Sequence, residues 1–157
     1  MSKEIVIAGA GWLGGPLARV LKESYNHVTV LSRSNEQFAF FKSQHISLIK
    51  FDYSQIEHSI INTETIKTLI ICIPPAPNYC SIINGLIQAV NPTYIVFSSA
   101  TSVYSPTSGE VTEDSTLGGN PLLEKAETLI INSGIPYISI NLSIVIVLHL
   151  IFLYPTL

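Results

Sequence analysis

A short β-branched run, Ile5-Val6-Ile7, leads through Ala8 straight into Gly9, Gly11 and Gly14, spaced G-x-G-x-x-G. Beyond the glycines, Leu13, Leu17 and Leu21 recur every four residues, which puts them on one face of a helix over 12–24. Pro16 is tolerated because it falls in the first turn, where its missing N–H has no intrahelical partner to lose. The first two dozen residues therefore read as strand, glycine turn, helix, with the strand over 3–9.

The same alternation runs through the chain. Further strands are expected over 27–33, 46–53, 67–75 (stopped by Pro74 and Pro75), 93–99 and 137–143. A short helix over 35–44 would turn Phe38 and Phe41 inward, and another is expected over 78–90. Asn120 followed by Pro121 is a helix start, a capping side chain and then a proline at the first helical position. Gly134 ends that helix and Pro136 prevents its resumption. Residues 54–66 read as a loop or a short helix, and 100–119 as a polar loop rich in Ser, Thr and Gly. The strands are apolar on both faces, the pattern of a parallel sheet covered by helices on two sides. The expected fold class is α/β, a doubly wound parallel sheet in one domain.

Composition agrees. Hydrophobic residues make up 47% of the 157 and charged residues 12%, against about 25% charged in an ordinary globular chain. Net charge is −3 and no Lys/Arg cluster occurs, so nothing supports nucleic acid as a partner. Cys72 and Cys80, with seven residues between them, fit no zinc or redox spacing and read as structural thiols. His27, His45, His58 and His149 are scattered; neither a metal nor a general base is expected from them. The opening Met-Ser-Lys-Glu lacks a long apolar stretch before the first strand, so no signal peptide and a cytoplasmic location are expected.

In this setting the glycine loop has a mechanism. Gly9 permits the sharp turn out of the strand, Gly11 leaves the backbone open to a pyrophosphate, and Gly14 lets the helix pack close. The helix N-terminus then offers unpaired N–H groups and a positive dipole end. Trp12 and Leu13 belong to the same cofactor-binding turn. An acid ending the second strand would hold ribose hydroxyls and favour NAD, but the chain reads Leu31-Ser32-Arg33-Ser34 there. Ser32 and Arg33 either hold a 2′-phosphate, favouring NADP with NAD still possible, or Arg33 is an ordinary surface cation. Asp52, at the end of the third strand, either touches the adenine or caps a turn. Pro74 and Pro75 are expected beside the adenosine ribose.

The stretch 96–115, VFSSATSVYSPTSGEVTEDS, resembles the fifth-strand segment of the NAD(P)-dependent epimerase/dehydratase family, the extended and atypical short-chain dehydrogenases/reductases. Members often show S-S-x-x-V-Y-G there, then a glycine and an acid. With GAGWLGGPLA it is most similar to the atypical bacterial YeeZ-type branch. The resemblance covers about residues 3–143 and implies an NAD(P)-binding Rossmann domain. It implies hydride transfer between the cofactor and a carbonyl or sugar-nucleotide substrate. It also implies a Ser or Thr on this segment that polarises the substrate, and a Tyr-x-x-x-Lys pair whose lysine lowers the tyrosine pKa. Aligned on Val103-Tyr104, Ala100 stands where that Ser would be. Ser99 and Thr101 flank it and would point to other faces of the strand. No Tyr precedes a Lys by four after residue 105; four before Lys125 is Pro121. The weak catalytic candidates are Ser99, Thr101 and Tyr104, whose hydroxyls otherwise satisfy the loop or, for Tyr104, pack.

After the sixth strand the family continues with Arg-Leu-x-Gly-x-Tyr-Gly-Pro-Gly and a substrate domain. Here Asn141 stands near the usual Arg, and the chain reads NLSIVIVLHLIFLYPTL. Residues 135–157 contain no Asp, Glu, Lys or Arg, and about 20 such residues suffice to cross a bilayer. Pro136, Asn141 and His149 interrupt them, and the first half already serves as a strand. The preferred reading is a Rossmann domain over 1–143, a missing substrate domain, and an apolar non-family tail over 144–157 that could pair chains into a homodimer. A membrane tail is the other. The expected function is that of a truncated or catalytically impaired NAD(P)-binding member of the epimerase/reductase group. The alternatives are a non-catalytic nucleotide-binding protein and a remnant without function.

Overall fold

A computed structural model describes residues 3–51, 66–105, 110–112 and 114–142. Six strands form one sheet: β1 (Lys3–Ala8), β2 (His27–Ser32), β3 (Ser47–Lys50), β4 (Ile66–Ile71), β5 (Tyr94–Ala100) and β6 (Tyr137–Leu142). Their order is β3-β2-β1-β4-β5-β6, and all five pairings are parallel. Strand order reverses between β1 and β4, and the carboxyl ends of those two strands flank the crevice where such sheets take ligands.

Helices α1 (Gly14–Ser24) and α2 (Phe38–Ser43) cover one face; α3 (Tyr79–Val90) and α4 (Pro121–Asn132) cover the other. Alternate strand residues divide accordingly. Ile5, Ile7, Val28 and Val30 pack against Ala18 and Phe41, while Val6, Ala8, Leu31, Leu69, Ile71, Ile95 and Phe97 pack against α3 and α4. Burial on both faces explains why Val28, Thr29, Val30 and Leu31 form an unbroken buried run in β2.

Several boundaries move, each for a local reason. α1 begins at Gly14 rather than residue 12 because Gly11, Trp12 and Leu13 form the turn that feeds it. β4 ends at Ile71, short of the prolines. α2 starts at Phe38, and only Phe41 is buried. Phe38 is 46% exposed, against the expectation that it turns inward, and Lys42 Nζ lies 5.9 Å from its ring centroid. Phe38 is the first residue of α2, at the helix end, whereas Phe41 sits in its interior.

α4 starts as expected. Asn120 Oδ1 accepts from the Leu122 and Leu123 N–H groups at 3.0 and 3.4 Å. Lys67 was not singled out in the sequence, yet it is 3% exposed and its Nζ donates to the Val90 carbonyl at the end of α3, 3.1 Å away. A cation there meets the negative end of the helix dipole. Asp52, most of 54–66, Ser143 and the apolar 144–157 segment lie outside the described residues.

Candidate functional site at the carboxyl edge of the sheet

The turn after β1 is fixed by three different constraints on its glycines. Gly9 has φ +108°, its N–H donates to the Leu31 carbonyl at 2.9 Å, and a Cβ there would lie 2.8 Å from the Cys72 carbonyl oxygen. At Gly14 a Cβ would collide with the carbonyl oxygen of Gly9, so α1 packs onto its own turn only without a side chain. At Gly11 nothing lies within 4 Å of where a Cβ would project. The first two glycines serve the fold; the third faces open space.

That space is a cavity of about 1140 Å³ along the carboxyl ends of the strands. Ser32 and Arg33 line one end, beyond β2. Gly9, Gly11, Trp12 and Leu13 from the turn and Pro74 and Pro75 after β4 line its middle. Ser99 and Thr101, at the end of β5, and Leu142, at the end of β6, line the other end. Of the residues singled out in the sequence, Gly14 and Tyr104 are not part of the lining. Trp12 is 56% exposed on the turn, an aromatic plate at the cavity mouth. No side chain caps α1 and no acid occupies its first turn. Within that turn the Gly15 N–H donates to the Gly11 carbonyl at 2.9 Å and Pro16 has no N–H to offer, so the positive end of the helix stands beside the cavity with no carboxylate of its own turn against it.

Glu36 and Asn120 were missed as lining residues. Glu36 lies three residues beyond Arg33, past the strand end where an acid is sought, and only the fold brings it to the same end of the cavity. Asn120 is legible as a helix cap, and its second role depends on where α4 sits.

Behind the cavity the loop after β4 is tethered from below. Tyr79 is fully buried and its hydroxyl donates to the Ile73 carbonyl at 3.0 Å. Burial, reinforced by Cys72 and Cys80 nearby, pushes its pKa upward. Burial also pushes the Cys72 thiol up to about 12, and both cysteines are free. Cys72 is thus a neutral wall of the site at ordinary pH, not a nucleophile.

At the β5–β6 end, Ser99 is buried and Ala100 half-buried, following the alternation of β5. Ser99 pairs in register with Asn141 across the strands, so their side chains share a face. Asn141 Nδ2 donates to the Tyr104 hydroxyl at 2.8 Å, while Asn141 Oδ1 and Ser99 Oγ are buried without a hydrogen-bond partner among the described residues. Tyr104 is 8% exposed and packs in the core. Thr101 is exposed at the start of a short 3₁₀ turn, Thr101–Val103. Among the described residues no three His, Cys, Asp or Glu gather as a metal site, and no helix is long and apolar enough to cross a membrane.

These residues fit a dinucleotide. A bare backbone turn, an uncapped helix start and an arginine at one end suit phosphates, and the exposed Thr101 hydroxyl lines the other end.

No family model and no curated protein matches the sequence. Solved structures do. A protein from Methylobacillus flagellatus, described as an NAD-dependent epimerase/dehydratase, aligns over 89% of this chain and 54% of its own at 21% identity, with a TM-score of 0.69. UDP-glucuronic acid 4-epimerase from Bacillus cereus, in complex with NAD, aligns over 88% and 56% at 18% identity, TM-score 0.64. Citrobacter sp. triphenylmethane reductase complexed with NADP(H) aligns over 88% and 48% at 18% identity, TM-score 0.65. The chain spans about half the length of these proteins. At such identities the likeness is one of fold: an α/β Rossmann-like domain similar to about half of an NAD-dependent epimerase/dehydratase and of related reductases.

Proposed function

We propose that the carboxyl edge of the sheet binds a nicotinamide dinucleotide, its pyrophosphate at the turn of Gly9, Gly11, Trp12, Leu13 and Gly14. The observation that carries this reading is the open space beside Gly11, at the uncapped start of α1 and inside the cavity. In this reading Ser32 and Arg33 take the adenosine end, Pro74 and Pro75 flank the ribose, and the nicotinamide lies toward Ser99 and Thr101. When bound, the cofactor supplies or accepts hydride. The chain's own residues bind and orient it: backbone N–H groups hold charge, and Trp12 covers the mouth.

NADP is the preferred form, because a guanidinium binds a 2′-phosphate through charge-assisted hydrogen bonds. Glu36 at the same end opposes that preference, so the balance between Arg33 and Glu36 sets it. Catalysis is impaired in this reading. Ala100 stands at the expected Ser position, and the Tyr104 hydroxyl is engaged by Asn141 deep in the core. Thr101, exposed at the rim, would contact a substrate without supplying a strong base, whereas the Ser99 hydroxyl is buried.

The test is a fluorescence titration with NADPH and with NADH. Arg33→Ala is expected to weaken NADPH roughly tenfold, about 1.4 kcal/mol, with little change for NADH. Glu36→Gln is expected to strengthen NADPH. Equal affinities insensitive to Arg33→Ala would remove the NADP preference, and no binding of either at millimolar cofactor would remove the function.

A further inference from the structure

A second, smaller cavity of about 240 Å³ is lined by Arg19, Val20, Lys22 and Glu23 of α1 and by Gln44 at the end of α2. It shares no residue with the cavity at the carboxyl edge of the sheet. Arg19 and Lys22 are three apart on α1, so their side chains leave the helix as neighbours. Arg19 is half-buried, and its guanidinium lies 5.6 Å from the centroid of the Phe40 ring. The ring steadies the cation but accepts no hydrogen bond in the plane of its five N–H donors. Among the described residues no hydrogen-bond acceptor and no carboxylate meets them, although Glu23 lies four residues on along the same helix. Lys22 Nζ gives one donor to the Asn26 carbonyl and keeps two. The Gln44 side-chain amide has no partner among the described residues.

We propose that this cavity binds a phosphate group, carried either by a small soluble ester or by a lipid headgroup, with the Arg19 guanidinium as its main contact. A guanidinium presents paired N–H donors that match phosphate oxygens, and these bonds are strengthened by charge on both sides. The contact with Phe40 already restricts the Arg19 side chain, so less freedom is lost when the anion arrives. A phosphate carries enough charge to engage Lys22 as well as Arg19, whereas a carboxylate is satisfied by Arg19 alone. Gln44 adds a neutral donor from the opposite wall, and Val20, 55% exposed, gives the ligand an apolar flank. Glu23 opposes any anion here and holds the affinity down. The inference is independent of cofactor binding.

Side-chain NMR of the full ¹⁵N-labelled chain tests this with inorganic phosphate, titrated at constant ionic strength against chloride. The Arg19 Nε and Gln44 Nε2 resonances are expected to shift together and to saturate with phosphate alone. Arg19→Gln is expected to weaken the Gln44 response roughly tenfold, the loss of a hydrogen bond between charged groups. Glu23→Gln is expected to strengthen it several-fold, a gain that loss of structure could not produce. Cosedimentation with phosphatidylcholine vesicles containing phosphatidic acid separates the two sources. Sedimentation that needs Arg19 supports the proposal with a lipid headgroup as the source; a saturable phosphate response without sedimentation supports it with a soluble ester. Equal responses to chloride and phosphate overturn the proposal. So does a phosphate response that Arg19→Gln leaves unchanged in a folded chain, or no response to either probe.

Discussion

At the β1–β2 end of the cavity the protein presents backbone: a turn with an open Gly11, an uncapped helix start and, beyond them, Arg33. At the β5–β6 end it presents side chains: Thr101 at the rim and Ser99 in the wall, with Asn141 and Tyr104 packed behind them and the Ser99 and Asn141 oxygens buried without a hydrogen-bond partner among the described residues. The first end is specified by what must be missing, and glycine writes that requirement directly into the sequence. The second is specified by which side chains meet across strand register, and no local pattern records it. A backbone cradle serves any ligand with a pyrophosphate, whereas a side-chain cluster must be matched to one substrate.

The sharpest way to break this contrast lies within the turn itself. Gly14→Ala forces a Cβ into the Gly9 carbonyl, and a loss of about 3 kcal/mol or more is expected in urea denaturation. Gly11→Ala enters open space and should change stability by no more than about 0.5 kcal/mol. Similar costs for the two would mean that the glycines have no division of labour.

Next comes the cavity wall shared by both ends. The Cys72 pKa is about 12 in the folded protein against 9.0 for a free thiol. Between those values the unfolded chain has lost its proton and the folded one keeps it, so folding is favoured below pH 9 and loses this contribution as pH rises toward 12. Cys72→Ala should flatten the alkaline fall in melting temperature, and alkylation at pH 8 should spare Cys72 in the folded chain. Rapid alkylation there would show the wall to be open.

The smallest effect is expected at the β5–β6 end. Ser99→Ala removes a buried hydroxyl that has no partner, so stability should stay level or rise by up to about 1 kcal/mol. A loss above about 1 kcal/mol by thermal denaturation would mean that a partner, such as a bound water, completes the hydroxyl.

The fold was legible because strand runs, glycine turn and the Asn120–Pro121 cap are local signals, each read within a few residues. Phe38 misled because the spacing marks a helical face without showing that the helix begins at that residue. Lys67 could not be read: a lysine in a strand looks solvent-facing until the end of α3 is placed over it. Glu36 escaped because the search stopped at the strand end. The Ser99–Asn141–Tyr104 cluster depends on the β5–β6 register and on the packing of Tyr104, both of which arise only in the assembled sheet.

Whether the backbone around Gly11 seats paired phosphates is decided by titrating NADPH into the native chain and into Gly11→Val at matched stability. Saturable binding to the native chain is expected, with at least a tenfold loss, about 1.4 kcal/mol, in the variant, whose Cβ enters the open space of the turn. Unchanged NADPH affinity in a folded Gly11→Val chain would contradict it.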